Sequence, residues 1–309
     1  MTLQQLKYFI EVVNCGSINK AAENLFIAQP SLSNAVKDLE AEVGVELFTR
    51  TPKGMSLTAD GVEFLGYARQ VVEQASLLEQ RFLSKKPSRR LCSISTQHYA
   101  FAVNAFVNMV KKTNADEYEF TLRETRTYEI IEDVKTLRSE LGILYMNPFN
   151  RKVLEKLLRD NGLTFHPLFT AKPHIFVSAS NPLAARQFVT PKDLEEYPCL
   201  SFEQGEYNSF YFSEEILSTA FRKKSIRVSD RATIFNLMIG LNGYTISTGI
   251  VSADLNGDNI TAVPLHVDDF IEVGWIAHNS IQLTTQASMY LAELKQVIAK
   301  YDVLINEQI

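Results

Sequence analysis

The sequence predicts a mainly α winged helix-turn-helix at its start, a long linker helix, and a C-terminal α/β domain of two lobes. Three observations predict it. Short helical patterns separated by a brief turn are followed by a Pro/Gly hairpin. One uninterrupted helical pattern covers residues 59–84. Beyond a polar break, strand and helix patterns alternate to the end of the chain.

Leu3, Leu6, Phe9, Ile10 and Val13 recur at helical spacing, and Cys15-Gly16 ends that run. Ser17 suits the N-cap of a short helix reaching Leu25, in which Ala21-Ala22 permits close packing. Residues 26–29 form the turn. Pro30 is preorganised for a first helical turn, and Gly44 suits a left-handed end. Between them Leu32, Ala35, Val36, Leu39 and Val43 make one apolar face. The other face carries Pro30, Ser33, Asn34 and Lys37. Short hydroxyl and amide side chains near the front of a helix reach base edges, and a lysine one turn on reaches a phosphate or a guanine. Taken alone, the stretch favours a plain solvated surface helix, and its neighbours reverse that. Residues 45–50 and 55–57 flank the turn Thr51-Pro52-Lys53-Gly54, a wing in which Arg50 and Lys53 would meet the phosphate backbone. Thr58 caps the next helix.

These residues resemble the DNA-binding domain of LysR-type transcriptional regulators. The resemblance spans residues 1–61 and rests on Leu6, Phe9, Gly16-Ser17, Ala21-Ala22, Leu25, Gln29-Pro30-Ser31, Ser33, Leu39-Glu40, Gly44, Leu47-Phe48, Arg50, Leu57-Thr58 and Gly61. It implies a double-stranded operator with two-fold-related half-sites. Lys20, Gln29, Pro30, Ser31, Ser33, Asn34, Lys37, Arg50, Lys53 and Thr58 are the candidate DNA-binding residues. In the helix over 59–84, Phe64, Leu65, Ala68, Val71, Val72, Ala75, Leu78 and Phe82 trace an apolar seam suited to a coiled-coil dimer contact. It is similar to the linker helix that pairs subunits in that family, where tetramers are also common. RNA polymerase stands as a further partner of such a regulator. The domain boundaries expected are 1–58, 59–90 and 91–309, with residues 84–90 as a solvated hinge.

The net charge of −5 excludes a nonspecific nucleic-acid binder. The first 58 residues carry 5 bases and 6 acids, so DNA binding must come from where the charges point. Lys20, Lys37, Arg50 and Lys53 are expected on one side, and Glu40, Glu42 and Glu46 on the other. Three scattered cysteines and five histidines show neither a disulfide framework nor metal-ligand spacing, and no cofactor is expected. Neither a signal-peptide layout nor a bilayer-spanning run is present, which points to the cytoplasm.

From Leu91 the expected strands are 91–96, 118–123, 141–146, 175–179, 199–202, 226–229, 244–247 and 271–277. The expected helices are 99–112, 128–138, 151–159, 191–196, 213–221, 232–241 and 286–304. Right-handed βαβ units would build two lobes, 91–165 with 268–309 and 166–267, crossing near 165–169 and 263–267. This layout resembles the periplasmic-binding-protein-like effector domain of LysR-type regulators.

In open α/β sheets ligands sit beyond the carboxyl ends of strands, at helix N-termini. The strand ends nominate Ser95, Thr96, Gln97, Thr127, Met146, Ser201, Phe202 and Thr248 as candidate effector-binding residues. Their hydroxyls and amide suit a small anionic or zwitterionic metabolite, although Thr96 also serves as a plain N-cap. The Thr96-Gln97-His98-Tyr99 run is similar to the matching stretch of sulfur-assimilation members, whose effectors are small sulfur metabolites or acetylated amino acids. Gly142 stands where the family often has an aspartate. No G-x-S-x-G, G-x-x-x-x-G-K or G-x-G-x-x-G supports an enzyme. The remaining alternative is a constitutive DNA-binding regulator whose C-terminal domain only oligomerises.

Overall fold

Thr2 opens the first helix, α1 (Leu3–Cys15), through a capping box with Gln5. The computed structural model describes residues 1–51, 54–83, 90–251, 259–301 and 303–305. Residues 1–88 form one compact unit and residues 89–309 a second.

In the first unit, Ser17 caps α2 (Ile18–Asn24), and α3 (Gln29–Val43) follows with Pro30 in its first turn. Gly44 ends α3 at φ 76°, the left-handed region that a side chain disfavours. Leu6, Phe9, Val12, Ala21, Ala22, Leu32, Val36 and Leu39 are buried together. Each of the larger ones contributes about 1.5–3 kcal/mol by leaving water. The wing is β1 (Phe48–Thr51) antiparallel to β2 (Gly54–Leu57), with Thr49 opposite Ser56. The long helix α4 (Ala59–Leu83) belongs to the same unit as the helix-turn-helix. Its apolar seam divides. Phe64, Leu65, Ala68 and Val72 pack into the core, and the Phe64 ring meets Phe9 edge-on at 5.2 Å. Val71 and Leu78 stay exposed, in one stripe with Tyr67. The hinge expected at residues 84–90 lies outside the described residues except for Arg90.

In the second unit, lobe I is built on β3 (Arg90–Thr96), α5 (Ala100–Lys112), β4 (Tyr118–Glu124), α6 (Thr127–Lys135), β5 (Leu141–Met146), α7 (Arg151–Asp160) and β6 (Leu163–Ala171). Lobe II follows with β7 (His174–Ser178), β8 (Cys199–Phe202), β9 (Ser225–Val228), α8 (Arg231–Leu241), β10 (Tyr244–Ser247) and β11 (Ile260–Pro264). The chain then returns to lobe I with β12 (Ile271–His278), α9 (Thr285–Ile298) and β13 (Leu304–Ile305). The sheet orders are β13-β6-β12-β5-β3-β4 and β11-β7-β10-β8-β9. Both are mixed: β3 runs parallel to β4 and β5, whereas β12 is antiparallel to β5 and β6.

The structure differs from the sequence expectations in five places, the first being β11 at Ile260–Pro264, an unexpected strand that overlaps the crossing expected near 263–267. Residues 165–169 are not a crossing but part of β6, paired with β12, so the chain first leaves lobe I after Ala171. Residues 191–196 contain only a 3-10 turn, Pro191–Leu194. No helix forms over 213–221, because Glu214, Glu215 and Ile216 are buried in succession, which one helical face cannot do. Helix α9 stops at Ile298, and Leu304-Ile305 instead extends the lobe I sheet beside Phe169 and Thr170.

Candidate functional site

The α3 helix buries Leu32, Val36 and Leu39, which leaves Gln29, Pro30, Ser31, Asn34 and Lys37 exposed on its other side, with Ser33 half-buried. Lys20 is exposed on α2. Arg50 stands on β1, and Lys53 lies outside the described residues. Thr58 is used internally: its hydroxyl donates to the Glu46 carbonyl at 2.7 Å and accepts from Gly61 N–H at 2.9 Å. Among the acids expected to point away, Glu40 accepts from the N–H groups of Leu47 and Phe48, and Glu42 pairs with the amino group of Met1. At the turn before α3, Phe26 is almost wholly exposed at φ 53°.

The structure brings only some of the candidate effector residues together. Ser95 and Met146 turn away from the cleft between the lobes, and Thr248 is buried. Ser95 donates to Asp133 Oδ2 at 2.6 Å, because the strand pleat puts it on the face covered by α6. Met146 is buried in an apolar cluster with Ile130, Leu154 and Leu158. The Thr248 hydroxyl accepts from Ile250 N–H at 3.4 Å. Ser201 sits half-buried on β8, opposite Arg227 of β9. Thr96 donates to the carbonyl of Gln97 at 2.8 Å.

Gln97, Thr127 and Phe202 come together at the cleft. Gln97 is fully buried. Its Nε2 donates to Thr127 Oγ1 at 2.6 Å, and its Oε1 accepts from Tyr99 OH and Tyr145 N–H. At the start of α6, Thr127 N–H donates to Gln204 Oε1 of lobe II at 3.1 Å. The Phe202 ring stacks on His98 at 3.9 Å.

Sequence reasoning missed the charged groups that join these elements. Glu214 of lobe II accepts from the backbone N–H of His98 at 3.0 Å and lies 3.0 Å from its ring Nδ1. Both side chains are over nine-tenths buried. Burial opposes a charge on the His98 ring, but the hydrogen bond to Glu214, its charge and that of Glu124 outweigh it and raise the pKa. Glu215 is buried beside it and accepts from Phe202 N–H at 2.9 Å. Burial first, then the neighbouring Glu214, pushes its carboxyl well above the ordinary range. Arg231 of α8 meets Glu124 of lobe I at 3.0 Å, and Arg126 of lobe I pairs with Glu203. Tyr128 stacks on Tyr207 at 3.6 Å, and Phe149 on Tyr211 at 4.8 Å. The cavity left between Phe101, Phe176, Phe202, Phe235, Glu214 and Glu215 is about 30 Å³, room for about one or two waters. The helix expected over 213–221 hides Glu214 and Glu215; adjacent acids behind the aromatic run Phe210-Tyr211-Phe212 are the available signal. Among the described residues no group of three metal-ligating side chains forms, and no helix is long and apolar enough to cross a membrane.

The sequence profile of bacterial regulatory helix-turn-helix proteins of the lysR family matches residues 3–62, and that of the LysR substrate binding domain matches residues 112–296. The chain belongs to the LysR family. It is a DNA-binding transcriptional regulator, not an enzyme, with a two-lobed substrate-binding domain. Among relatives from Bacillus subtilis, the chain is 26% identical over 269 residues to the uncharacterized regulator YvbU, covering 86% of this chain and 85% of YvbU. To the regulator CysL it is 24% identical over 300 residues, covering 94% and 95%. Among solved structures, full-length CbnR in complex with its target DNA superposes with a TM-score of 0.54 at 20% identity, covering 96% of this chain and all of that one. A mutant of OxyR from Corynebacterium glutamicum gives 0.53 at 19% identity, covering 97% and 94%. Such likenesses speak for the fold.

Within this LysR-family domain the Gly142 position has no room for a larger residue. A Cβ there would lie 2.6 Å from the Ile130 side chain and 2.7 Å from that of Ile276. The packing of α6 and β12 on β5 thus leaves no space for an aspartate side chain there.

Proposed function

We propose that this protein is a ligand-responsive regulator that holds a small metabolite between its two lobes and reads operator DNA as a dimer or higher oligomer. The observation that carries the ligand reading is the cleft itself. At the cleft the lobes exchange polar pairs, His98–Glu214, Thr127–Gln204, Arg126–Glu203 and Glu124–Arg231, above an apolar core that both lobes share. Polar contacts of this kind can be exchanged for contacts to a ligand, and a mostly apolar site with a few placed polar groups is the usual form of a small-molecule pocket. Gln97, Thr127 and Phe202 are the candidate residues best placed to meet it. Exposed Gln29, Pro30, Ser31, Asn34 and Lys37 on α3, with Lys20, support that face as the one that meets DNA. The effector changes lobe closure, and with it how dimers associate and bend DNA. The cytoplasm is its place of work, and contact with RNA polymerase belongs to the same proposal.

The test uses the full chain. An operator is selected from random duplex DNA, and metabolites are screened by thermal shift, since a ligand of the folded state raises the melting temperature. A hit should alter operator affinity, and the operator should alter the affinity for the hit by the same factor. Tight operator binding that no metabolite changes would favour a constitutive regulator.

A further inference from the structure

Glu214 does what a bound acid would do. Its carboxylate comes from lobe II, crosses the cleft, and takes the His98 backbone N–H just ahead of α5 at 3.0 Å. It also takes the His98 ring Nδ1 at 3.0 Å. Beside it, Gln204 Oε1 takes Thr127 N–H, the first residue of α6, at 3.1 Å. The Gln204 Nε2 lies 3.4 Å from Glu214 Oε1, so the two lobe II side chains form one polar unit. A carboxylate and an amide oxygen thus occupy the two backbone donors where lobe I strands turn into helices, the donors a ligand between the lobes would use.

We propose that Glu214 is an internal occupant of the effector site, and that the effector is a small carboxylate that takes its place on His98. This deepens the ligand-responsive reading and rests on it. Two features of the site fit the exchange. The cavity against which Glu214 lies is only about 30 Å³, too small to admit a ligand onto His98 while Glu214 stays there. The surroundings hold a carboxylate by hydrogen bonds and by the adjacent ring, while Glu124 occupies Arg231 and Arg126 is engaged by Glu203 and Glu129. A tethered group competes at high effective concentration, so a free ligand succeeds only by making further contacts of its own. When Glu214 leaves His98 a buried polar bond between the lobes is lost and is remade through the effector. Occupancy is thereby converted into a new relation between the lobes.

Acetate is the probe, because it replaces the one methylene and the carboxylate that Glu214→Ala removes. The full chain is compared as wild type, Glu214→Ala and Glu214→Gln, with acetate titrated against chloride at equal ionic strength. Readouts are the melting temperature and the His98 ring resonances, assigned with His98→Gln. Acetate should raise the melting temperature of Glu214→Ala saturably and restore the wild-type His98 signal, while the wild type stays unchanged. Glu214→Gln, whose amide accepts less strongly, should bind acetate at least about tenfold more tightly than wild type. It decides the matter if Glu214→Ala does not fold. Equal acetate responses in wild type and variants, or a response no larger than to chloride, overturn the proposal. Acetate that occupies Glu214→Ala without altering operator binding upholds the internal occupant and overturns the ligand-responsive reading.

Discussion

The carboxylate of Glu40 accepts a hydrogen bond from the backbone N–H of Leu47 at 2.8 Å, and the same oxygen takes Phe48 N–H at 3.1 Å. One side chain on α3 thereby sets the start of the wing. Hydrogen bonds to a charged group are strong, and removing the acceptor leaves two donors unmatched. Glu40→Ala should cost about 1–3 kcal/mol in denaturant unfolding of the N-terminal unit. It should also weaken operator binding, although Glu40 itself is no candidate DNA ligand.

On the exposed side of α3, two residues separate specificity from affinity. Asn34→Ala should relax base preference at one operator position and cost about 1–3 kcal/mol there. Lys37→Ala should weaken all sequences alike and reduce the slope of log affinity against log salt by about 1. Binding curves on single-base operator variants at several salt concentrations check both.

Tyr67, Val71 and Leu78 form an exposed stripe on α4, each between 49% and 63% accessible. A coiled-coil partner helix would cover that stripe. Val71→Asp with Leu78→Asp should shift the chain towards monomer in sedimentation experiments while leaving its helix content unchanged.

Replacing Gly142 by alanine should overpack the contact of β5 with Ile130 and Ile276. The expected cost is about 1–3 kcal/mol, read as a lower denaturant midpoint. An effector contact at this position would instead leave stability unchanged.

The pH dependence of the C-terminal unit follows from His98 and Glu215. The His98 pKa is raised above 6.5, so its stabilisation is complete below that value and is lost as pH climbs through the raised one. The Glu215 carboxyl is also raised, above 4.5. The unfolded chain releases that proton first, so stability again falls with rising pH. Glu214, Glu124, Arg231 and Asp230 are the other charges around the pair. The melting temperature should fall from about pH 6 to about pH 9, and Glu215→Gln should flatten the profile. A wild-type melting temperature that rises across that range would contradict the reading.

The N-terminal half was legible because its signals are local. Ser17, Pro30 and Gly44 mark helix ends by their own backbone preferences, and Leu32, Val36 and Leu39 mark a face by their spacing. The same holds for the strands Leu141–Met146, Cys199–Phe202 and Tyr244–Ser247, found where the apolar runs placed them. What the tertiary structure decided is where side chains from distant segments meet. Ser95 looked like a ligand donor until Asp133 claimed its hydroxyl, and Glu214, in a stretch expected to be a helix, reaches His98, 116 residues earlier. A hydroxyl or a carboxylate can satisfy its hydrogen bonds with any donor that folding brings near it. Its partner is therefore fixed by the packing of whole lobes and leaves no periodic trace in the sequence.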